Sequence, residues 1–347
     1  MKRQREGFRP IDYVIFTAAA AAMLLLCVCA GSVRIPLQDT LRAIGQELQH
    51  RLFGGSAPQA GLAASIVLPV RLPRVLCVAL VGASLSLAGG AMQGLLKNPL
   101  ADGSTLGVSS GASLGAVLAI AFGISLPGFS SGSVMTMAML FAFLSLLIIL
   151  TLAYKLDASL ATNSIILIGV IFSMFVGSIS SLVITFAGER VKTITFWTMG
   201  SLQGSTYQNA LTLLVALIVF GGILLCCARE LNAFAIGEDN ARSIGVNVRR
   251  VKLTLLICVS ALIGVCVSIS GTIGFVGLVT PHMLRMIVGP NHKRLLPATM
   301  FGGAIFLMGC DLIARVILNP LELPIGVVTS FIGAIVFIYI FYSARKG

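Results

Sequence analysis

The amino-acid sequence predicts an all-α, polytopic membrane protein with about ten transmembrane helices. Only 10% of its 347 residues are charged, whereas a soluble chain uses about a quarter of its residues as surface charges. Six stretches without a charged residue each exceed the ~20 apolar residues that span a bilayer. The sequence lacks the alternation of period two that a transmembrane β-barrel would show, so helices are expected to satisfy the backbone.

Ten apolar segments account for these stretches within one membrane domain that covers residues 1–347. The longest uncharged run, 103–154, is too long for one span and is predicted to break at 123–128, where glycine and proline cluster. The first segment follows a basic N-terminus, but it is long for a signal peptide and is predicted to be retained. The predicted spans are residues 10–33, 62–95, 102–123, 132–154, 162–187, 206–228, 252–270, 273–288, 297–318 and 325–343.

The distribution of lysine and arginine predicts the orientation of the chain. An even number of spans places both termini on one side, and 16 of the 24 basic residues fall on that side. Because cytoplasmic loops are enriched in Lys and Arg, both termini are predicted to be cytoplasmic. The net charge of +12 reflects this bias in short loops and does not indicate a nucleic-acid-binding protein.

Two segments outside the predicted spans have a helical pattern. Residues 37–53 place leucine and isoleucine at helical spacing among polar residues, which predicts an amphipathic helix on the outer membrane surface. Residues 229–250 form the longest cytoplasmic loop, where Asn232 and either Asp239 or Asn240 are candidate caps of two very short helices. The pattern alone leaves open whether this loop is a docking surface or a solvated connector.

Charged residues near the outer ends of the spans suggest ion pairing and docking. Asp311 and Arg315 are four residues apart in the ninth span, and this spacing predicts an ion pair between groups that are costly in a membrane. Arg71 and Arg74 lie on the side where the positive-inside rule disfavours arginine. They are either outward-facing partners for carboxylates of a soluble protein or anchors for lipid headgroups.

The residues do not predict a catalytic or metal site. The G-x-S-x-G match at 107–111 lies inside an apolar helix, not on the strand-to-helix turn of a hydrolase. His282 and Arg285 could bind a ligand or a partner, but the simpler interpretation is a hydrogen-bonded structural pair. The eight cysteines lie in apolar stretches without a C-x-x-C motif, and three scattered histidines do not form a metal site. No cofactor is expected.

Eight short motifs between about Arg71 and Phe341 together carry a family resemblance. They are RLPR (71–74), NPLAD (98–102), LGVSSGA (106–112), FWTMGSL (196–202), IGEDNARSIGV (236–246), GFVGLVTPHMLR (274–285), NHKRLLPAT (291–299) and ELPIGVVT (322–329). With these motifs the chain resembles the FecCD family of ABC importer permeases, which includes cobalamin, haem and ferric-siderophore transporters. Departures such as Gly103 and Ile335, where the family often has proline, weaken any inference about a particular substrate.

The resemblance implies an assembly as well as a fold. It implies a cobalamin-importer-permease-like fold of ten helices, paired as a homodimer in the bacterial inner membrane. It further implies two cytoplasmic ATP-binding subunits and a periplasmic or lipid-anchored substrate-binding protein. The remaining implied partner is the lipid bilayer, with no nucleic acid.

The resemblance also implies roles for residues that match the family motifs. Arginines thought to grip acidic residues of the binding protein correspond to Arg71, Arg74 and Arg315. The 229–250 loop corresponds to coupling helices that seat in the ATPase, with the motif residues Gly237, Glu238, Ala241, Arg242 and Gly245. Two layers of a cytoplasmic gate correspond to Asn98 with Leu100 and to Thr162 with Asn163.

The predicted function is therefore that of the permease subunit of an ATP-driven importer for an iron-siderophore, haem or cobalamin-type ligand. The chain lacks a Walker A motif, so partner subunits are expected to hydrolyse ATP. The pathway is expected to be lined by Ser, Thr, Met and Gly of the fifth span and its neighbours. Alternatives are a permease for an oxyanion such as molybdate, an ion-coupled transporter using midplane carboxylates, and an intramembrane serine protease.

Overall fold

The computed structural model describes residues 8–31, 35–53, 61–125, 132–156 and 161–344. Within these ranges the chain is helical and forms no strand, which confirms the all-α prediction. The two tails that were predicted to be cytoplasmic lie largely outside the described residues, at 1–7 and 345–347. The end of the first predicted span, at 32–33, also lies outside them.

The helices follow one another with short connections. In chain order they are α1 (Pro10–Cys29), α2 (Leu37–Phe53), α3 (Leu72–Leu96), α4 (Val108–Phe122), α5 (Ser133–Leu156), α6 (Thr162–Thr185), α7 (Val191–Thr198), α8 (Tyr207–Ala216), α9 (Ala228–Ile236), α10 (Glu238–Ser243), α11 (Val248–Ser270), α12 (Val276–Val288), α13 (His292–Val316) and α14 (Ile325–Ala344). A helical turn at Leu62–Ile66 and a π-helical turn at Val67–Arg71 precede α3. Helix α8 continues through a π-helical turn at Leu217–Gly221 into Gly222–Cys226.

Seven helical segments in the described ranges are long and apolar enough to cross a membrane. They are α1, Ala64–Leu96, α5, α6, Tyr207–Cys226, α11 and α13. Three shorter apolar segments are Val108–Phe122, Val276–Val288 and Ile325–Ile340. These segments overlap the ten predicted spans, whose membrane boundaries stay predictions.

Helix α3 forms the centre of the bundle. It packs against α8, α11, α12 and α13, and nearly all of its residues are buried. Glycines make this close packing possible, because a Cβ on Gly82 would collide with the backbone of Gly303. A Cβ on Gly89 would likewise collide with the backbone of Gly277. Small residues at such positions let helix backbones approach each other directly.

The α-helix within the third predicted span begins later than the first residue of that span. Residues Gly103–Leu106 form a 3-10 turn, and α4 starts only at Val108. Gly107 separates the two with a φ of 77°, a left-handed conformation that glycine adopts without strain. The G-x-S-x-G match therefore follows a 3-10 turn and not a strand, which excludes the hydrolase elbow.

Two other helices begin earlier than predicted, because asparagine side chains cap them. The side chain of Asn247 accepts a hydrogen bond from the backbone N–H of Arg250 at the start of α11. Asn291 accepts one from the backbone N–H of Lys293 at the start of α13. Such caps satisfy N–H groups that have no partner within the helix.

Helix α2 contacts the bundle through one face. Thr40 and Ala43 are buried on that face, whereas Leu37, Leu41 and Leu48 are about half exposed. The three leucines share a second face, since residues four and eleven apart project in nearly the same direction from a helix. This exposed apolar stripe agrees with the amphipathic pattern, and its location on the outer membrane surface stays a prediction.

Candidate functional site

A cluster of charged side chains joins α3, α13 and the loop that follows α13. Asp311 is 1% exposed, and its carboxylate lies 2.9 Å from Arg74 Nη2 and 2.9 Å from Arg315 Nε. Arg74 also contacts Glu322, with 2.7 Å between Nη1 and Oε2. The ion pair predicted for Asp311 and Arg315 is confirmed, but it belongs to a larger network.

Two of the arginines also cap the end of α1. Arg71 donates two hydrogen bonds of 3.0 Å, and Arg315 donates two of 3.1 Å. The acceptors are the backbone carbonyl oxygens of Cys27, Val28, Cys29 and Ala30. The last carbonyls of a helix have no partner within it and carry its partial negative charge. The two guanidiniums therefore fix the C-terminal end of α1 to α3 and α13.

These contacts change the interpretation of the arginines that match docking residues of the family. Arg71, Arg74 and Arg315 are 6%, 8% and 4% exposed. The expectation that their guanidiniums face outward is therefore wrong for this conformation, because carboxylates and carbonyls hold them inside. Buried charges of this kind are stable only when paired. Glu322, whose side chain is 29% exposed, is the accessible member of the network.

A cavity of about 460 Å³ lies between α3, α4, α6, α11 and the start of α12. Helix α4 contributes Ser109, Ser110 and Ser113 to its wall, and α6 contributes Gly177 and Ser180. Apolar side chains from the other helices complete the wall, among them Leu85, Ile263, Val267, Phe275 and Leu278. The wall of this space within the helical bundle is thus formed mainly by small hydroxyl-bearing residues and apolar residues.

The backbone between α11 and α12 is not helical where it lines this cavity. Gly271 and Phe275 have φ values of 67° and 68°, so the chain turns sharply there. The Thr272 hydroxyl donates to the carbonyl oxygen of Thr198, which joins this segment to the end of α7. Non-helical backbone within a membrane protein is tolerated where it is buried in protein or lines a cavity. Gly271 meets the first condition because it is buried, and residues 272–275 meet the second because they line the cavity.

The loop between α8 and α11 folds into the short helices α9 and α10. The Lys252 ammonium is 1% exposed and lies 2.8 Å from the Glu238 carboxylate, which ties the first residue of α10 to α11. Gly237 has a φ of 138° and makes the sharp turn that glycine allows between the two helices. Ala241, within α10, is fully buried, and Gly245 ends the segment with a φ of 89°.

Helix α10, which the Lys252–Glu238 ion pair fixes to α11, lies between two exposed apolar residues. Ile236 and Ile244 flank α10 and are 72% and 69% exposed. Between them the side chains of Asp239 and Arg242 are 98% and 56% exposed, with 3.7 Å between their charged atoms. Large apolar residues exposed beside polar ones on a rigid element are typical of a surface that binds another protein.

The predicted caps in this loop are wrong. Asn232 lies in the middle of α9, and Asp239 and Asn240 lie inside α10. Asn232 instead joins α9 to α13, because its Oδ1 accepts a 2.8 Å hydrogen bond from the backbone N–H of His292. The same oxygen lies 2.9 Å from His292 Nδ1. Sequence reasoning missed this contact, since the two residues are far apart in the chain and carry no shared motif.

His282 and Arg285 do not form the structural pair that their spacing suggested. Arg285 Nη2 donates to Gln93 Oε1 at 3.0 Å, and Gln93 Nε2 donates to the carbonyl oxygen of Leu278 at 3.1 Å. The His282 ring lies beside Phe337, with 6.1 Å between the ring centroids. The prediction failed because spacing along α12 does not reveal a buried amide on α3.

The four residues that match the cytoplasmic gate lie at helix ends. Asn98 follows α3, and its Oδ1 accepts a 2.9 Å hydrogen bond from the backbone N–H of Leu100. Leu100 is 53% exposed. Thr162 and Asn163 are the first two residues of α6. Their gating role stays a prediction.

Comparisons with known proteins agree with this architecture. The sequence profile of the FecCD transport family matches residues 19–343. The uncharacterized ABC transporter permease protein YvrB of Bacillus subtilis is 41% identical over 336 residues, covering 96% of this chain and 94% of that protein. The vitamin B12 import system permease protein BtuC of Citrobacter koseri is 38% identical over 347 residues, covering 99% and 97%.

A solved structure described as an inward-facing conformation of a metal-chelate type ABC transporter has the same fold. Its TM-score is 0.83 at 31% sequence identity, and the match covers 96% of this chain and 100% of that one. The similarity therefore includes both the sequence and the helical arrangement over nearly the whole length.

Proposed function

Because this chain belongs to the FecCD transport family of ABC importer permeases, we propose that it carries an iron-siderophore, haem or cobalamin-type ligand across the bacterial inner membrane. The names of its relatives support this class of ligand, since one is a vitamin B12 permease and one a metal-chelate type transporter. Partner ATPases supply the energy, and both termini of the chain are cytoplasmic. The alternative cargo within the family is an oxyanion such as molybdate.

The observation that carries this proposal is the clamped apolar surface formed by Ile236, α10 and Ile244. A transport subunit without a nucleotide site must receive work from a partner, and this surface is suited to bind one. The ion pair between the buried Lys252 and the partly exposed Glu238 transmits movement of α10 to the start of α11. Helix α11 then reaches the cavity wall at Ile263, about 16 Å further along its axis. One rigid helix, α11, thus connects the proposed docking surface to the proposed pathway.

A second copy of the chain completes the proposed pathway. Helix α6 exposes Asn163, Ser178 and Ser181 together with Met174, which is 69% exposed. Polar side chains on an exposed face of a membrane helix are better placed against a water-filled path or another protein than against lipid. We therefore place α6 beside its own copy in a homodimer, with two ATP-binding subunits below. Asn98, Leu100, Thr162 and Asn163 are proposed to gate the cytoplasmic end.

The outer charged network is the proposed docking site for a substrate-binding protein, either periplasmic or lipid-anchored. Arg71, Arg74 and Arg315 already bind carboxylates or carbonyl oxygens inside the protein, so a partner's carboxylate must replace one of these internal acceptors. Glu322 is the partly exposed carboxylate of Arg74 and is the one that such a partner would displace. Charge pairs of this kind contribute mainly to orientation and to the rate of association.

Uptake into proteoliposomes tests the proposal. The chain is purified with the subunits that co-purify with it, and uptake of labelled cobalamin, ferric siderophore, haem and molybdate is compared. We expect uptake of one of the first three ligands when ATP is present, and none with a non-hydrolysable analogue. A protonophore should leave this uptake unchanged.

Three outcomes would contradict the proposal, the first two in its mechanism and the third in its ligand class. Uptake that stops with the protonophore while ATP remains would indicate an ion-coupled transporter. Uptake by the chain alone, without an ATP-binding partner, would show that the coupling surface has another role. Transport of molybdate alone would support the ABC mechanism and contradict the proposed ligand class.

A further inference from the structure

The loop that carries α9 and α10 is bonded to the bundle at a second point besides Lys252. Asn232 in α9 donates a 2.9 Å hydrogen bond from Nδ2 to Asn291 Oδ1. Its Oδ1 lies 2.8 Å from the backbone nitrogen of His292 and 2.9 Å from Nδ1 of the same residue. Because an amide oxygen can only accept, His292 Nδ1 carries the proton. Both ends of one side-chain amide thus hold α9 to the start of α13.

The other side of the His292 ring lies against α3. His292 is 5% exposed, and a Cβ on Gly94 would collide with its Nε2. This nitrogen has no hydrogen-bond partner among the described residues. A buried acceptor without a donor is unfavourable, so packing alone does not favour a histidine at this position. The polar contact that the ring provides is the one from Nδ1 to Asn232.

The contact between His292 and Gly94 lies one helical turn from the proposed gate. Gly94 precedes Asn98 by four residues, which is about one turn, and α3 ends between them at Leu96. Asn98 in turn holds the backbone of Leu100 through a 2.9 Å hydrogen bond. A displacement of the His292 ring therefore acts on the part of α3 that adjoins the gate residues.

We propose that Asn232 and His292 are positioning residues that couple the loop carrying α9 and α10 to the proposed gate at the end of α3. When a partner moves this loop, Asn232 moves the His292 ring, and the ring moves the end of α3. This inference rests on the proposed function. It adds a route by which movement reaches the gate without passing through α11 or the cavity.

Two substitutions of His292 separate its hydrogen bond from its bulk. Asparagine carries its amide nitrogen on Cγ, as histidine carries Nδ1, so His292→Asn keeps a donor for Asn232 Oδ1. Glutamine carries the nitrogen one bond further out, at the place of Nε2, so His292→Gln loses this side-chain donor. The permease with its ATP-binding subunits is reconstituted in lipid nanodiscs, and a fluorescent amino acid at position 100 reports movement of the gate.

ATP with vanadate should change the fluorescence of the reporter in the parent protein and in His292→Asn. In His292→Gln the change should be about tenfold smaller, because loss of a buried hydrogen bond shifts an equilibrium by about this factor. Co-purification of the ATP-binding subunits and ATP hydrolysis without vanadate should equal those of the parent, since the ion pair of Glu238 and Lys252 still holds α10. A purely structural role of His292 would lower all of these together and would overturn the inference.

Two results with the reporter would also overturn the inference. One is an equal response in His292→Gln and the parent. The other is an equal loss in His292→Gln and His292→Asn, which would assign the ring a space-filling role. If ATP-driven uptake by the parent is intact beside either result, this inference alone is rejected. No response in the parent would reject the proposed gate and this inference together.

Gly94→Ala approaches the same contact from α3 and keeps the test decisive if the His292 variants do not fold. Its methyl group would push the ring away from Asn232, so the response of the reporter should fall as in His292→Gln. Gly90→Ala is the matched control on the same helix, because a Cβ there makes only ordinary contacts. Equal responses in the two glycine variants would overturn the inference.

Discussion

At the scale of residues, the charged network around Asp311 shows how a membrane protein keeps ionised groups inside its bundle. Three arginines share two carboxylates and the four carbonyl oxygens that end α1. Asp311 is central, because it contacts both Arg74 and Arg315. Removing one member of a buried pair leaves the other charge without compensation, which costs more than the pair itself contributes.

We therefore expect Asp311→Asn to destabilise the fold strongly. Two buried guanidiniums would lose their shared carboxylate, and the free energy of unfolding should fall by about 3–5 kcal/mol. Glu322→Gln is the matched control, since that side chain is 29% exposed and water can replace its charge. Thermal unfolding of both variants in detergent measures the difference, and an equal loss in the two would contradict the central role of Asp311.

The sequence could predict only the local part of this network. Asp311 and Arg315 were predictable because a spacing of four brings side chains together on one helix. Arg74 and Glu322 joined them through tertiary packing, which no local spacing encodes. The same limit explains Gln93, whose contact with Arg285 replaced the predicted contact with His282.

At the scale of elements, glycine determines how closely α3 approaches its neighbours. Gly89 faces the backbone of Gly277, so a Cβ there has no space. Gly90 is the next residue, yet a Cβ there would lie 3.4 Å from Leu296 and 3.5 Å from Thr299, which is ordinary contact. Two adjacent glycines in the same buried helix thus have different reasons to be present.

This difference predicts opposite outcomes for two neighbouring substitutions. Gly89→Ala should force α3 and α12 apart and destabilise the protein by about 1–3 kcal/mol or more. Gly90→Ala should be neutral or slightly stabilising, because alanine favours the helix over glycine by up to ~1 kcal/mol. Fluorescence-detected size-exclusion chromatography after heating compares the two. Similar melting of both variants would show that α3 can shift to accept either methyl group.

Helix positions were easier to predict than helix ends. Long apolar runs locate the spans because lipid demands them, but the starts of α11 and α13 depend on the caps Asn247 and Asn291. The start of α4 depends on the left-handed Gly107. These details involve single hydrogen bonds or backbone angles, to which an average of hydropathy over a window is insensitive.

At the scale of the whole molecule, the exposed surface around α10 and the cavity are connected by one helix, α11. The ion pair between Lys252 and Glu238 fixes α10 to α11, and α11 passes along the cavity at Ile263 and Val267. A partner that moves α10 therefore changes the position of a cavity wall. Movement passes from α10 to the cavity wall only if packed structure joins them. The buried Lys252 ammonium makes this joint, because it binds Glu238 of α10.

Polar substitution of the exposed isoleucines tests this coupling. Ile236→Ser together with Ile244→Ser should leave the fold intact, because both side chains are about 70% exposed. It should weaken association with the ATP-binding subunits and lower ATP-driven uptake about tenfold or more, as expected when the apolar anchors of an interface are removed. Asp239→Asn is the control on the same helix, since its side chain is 98% exposed and stays polar. Co-purification and uptake measured together separate the two effects, and normal values of both in the double variant would show that the partner binds elsewhere.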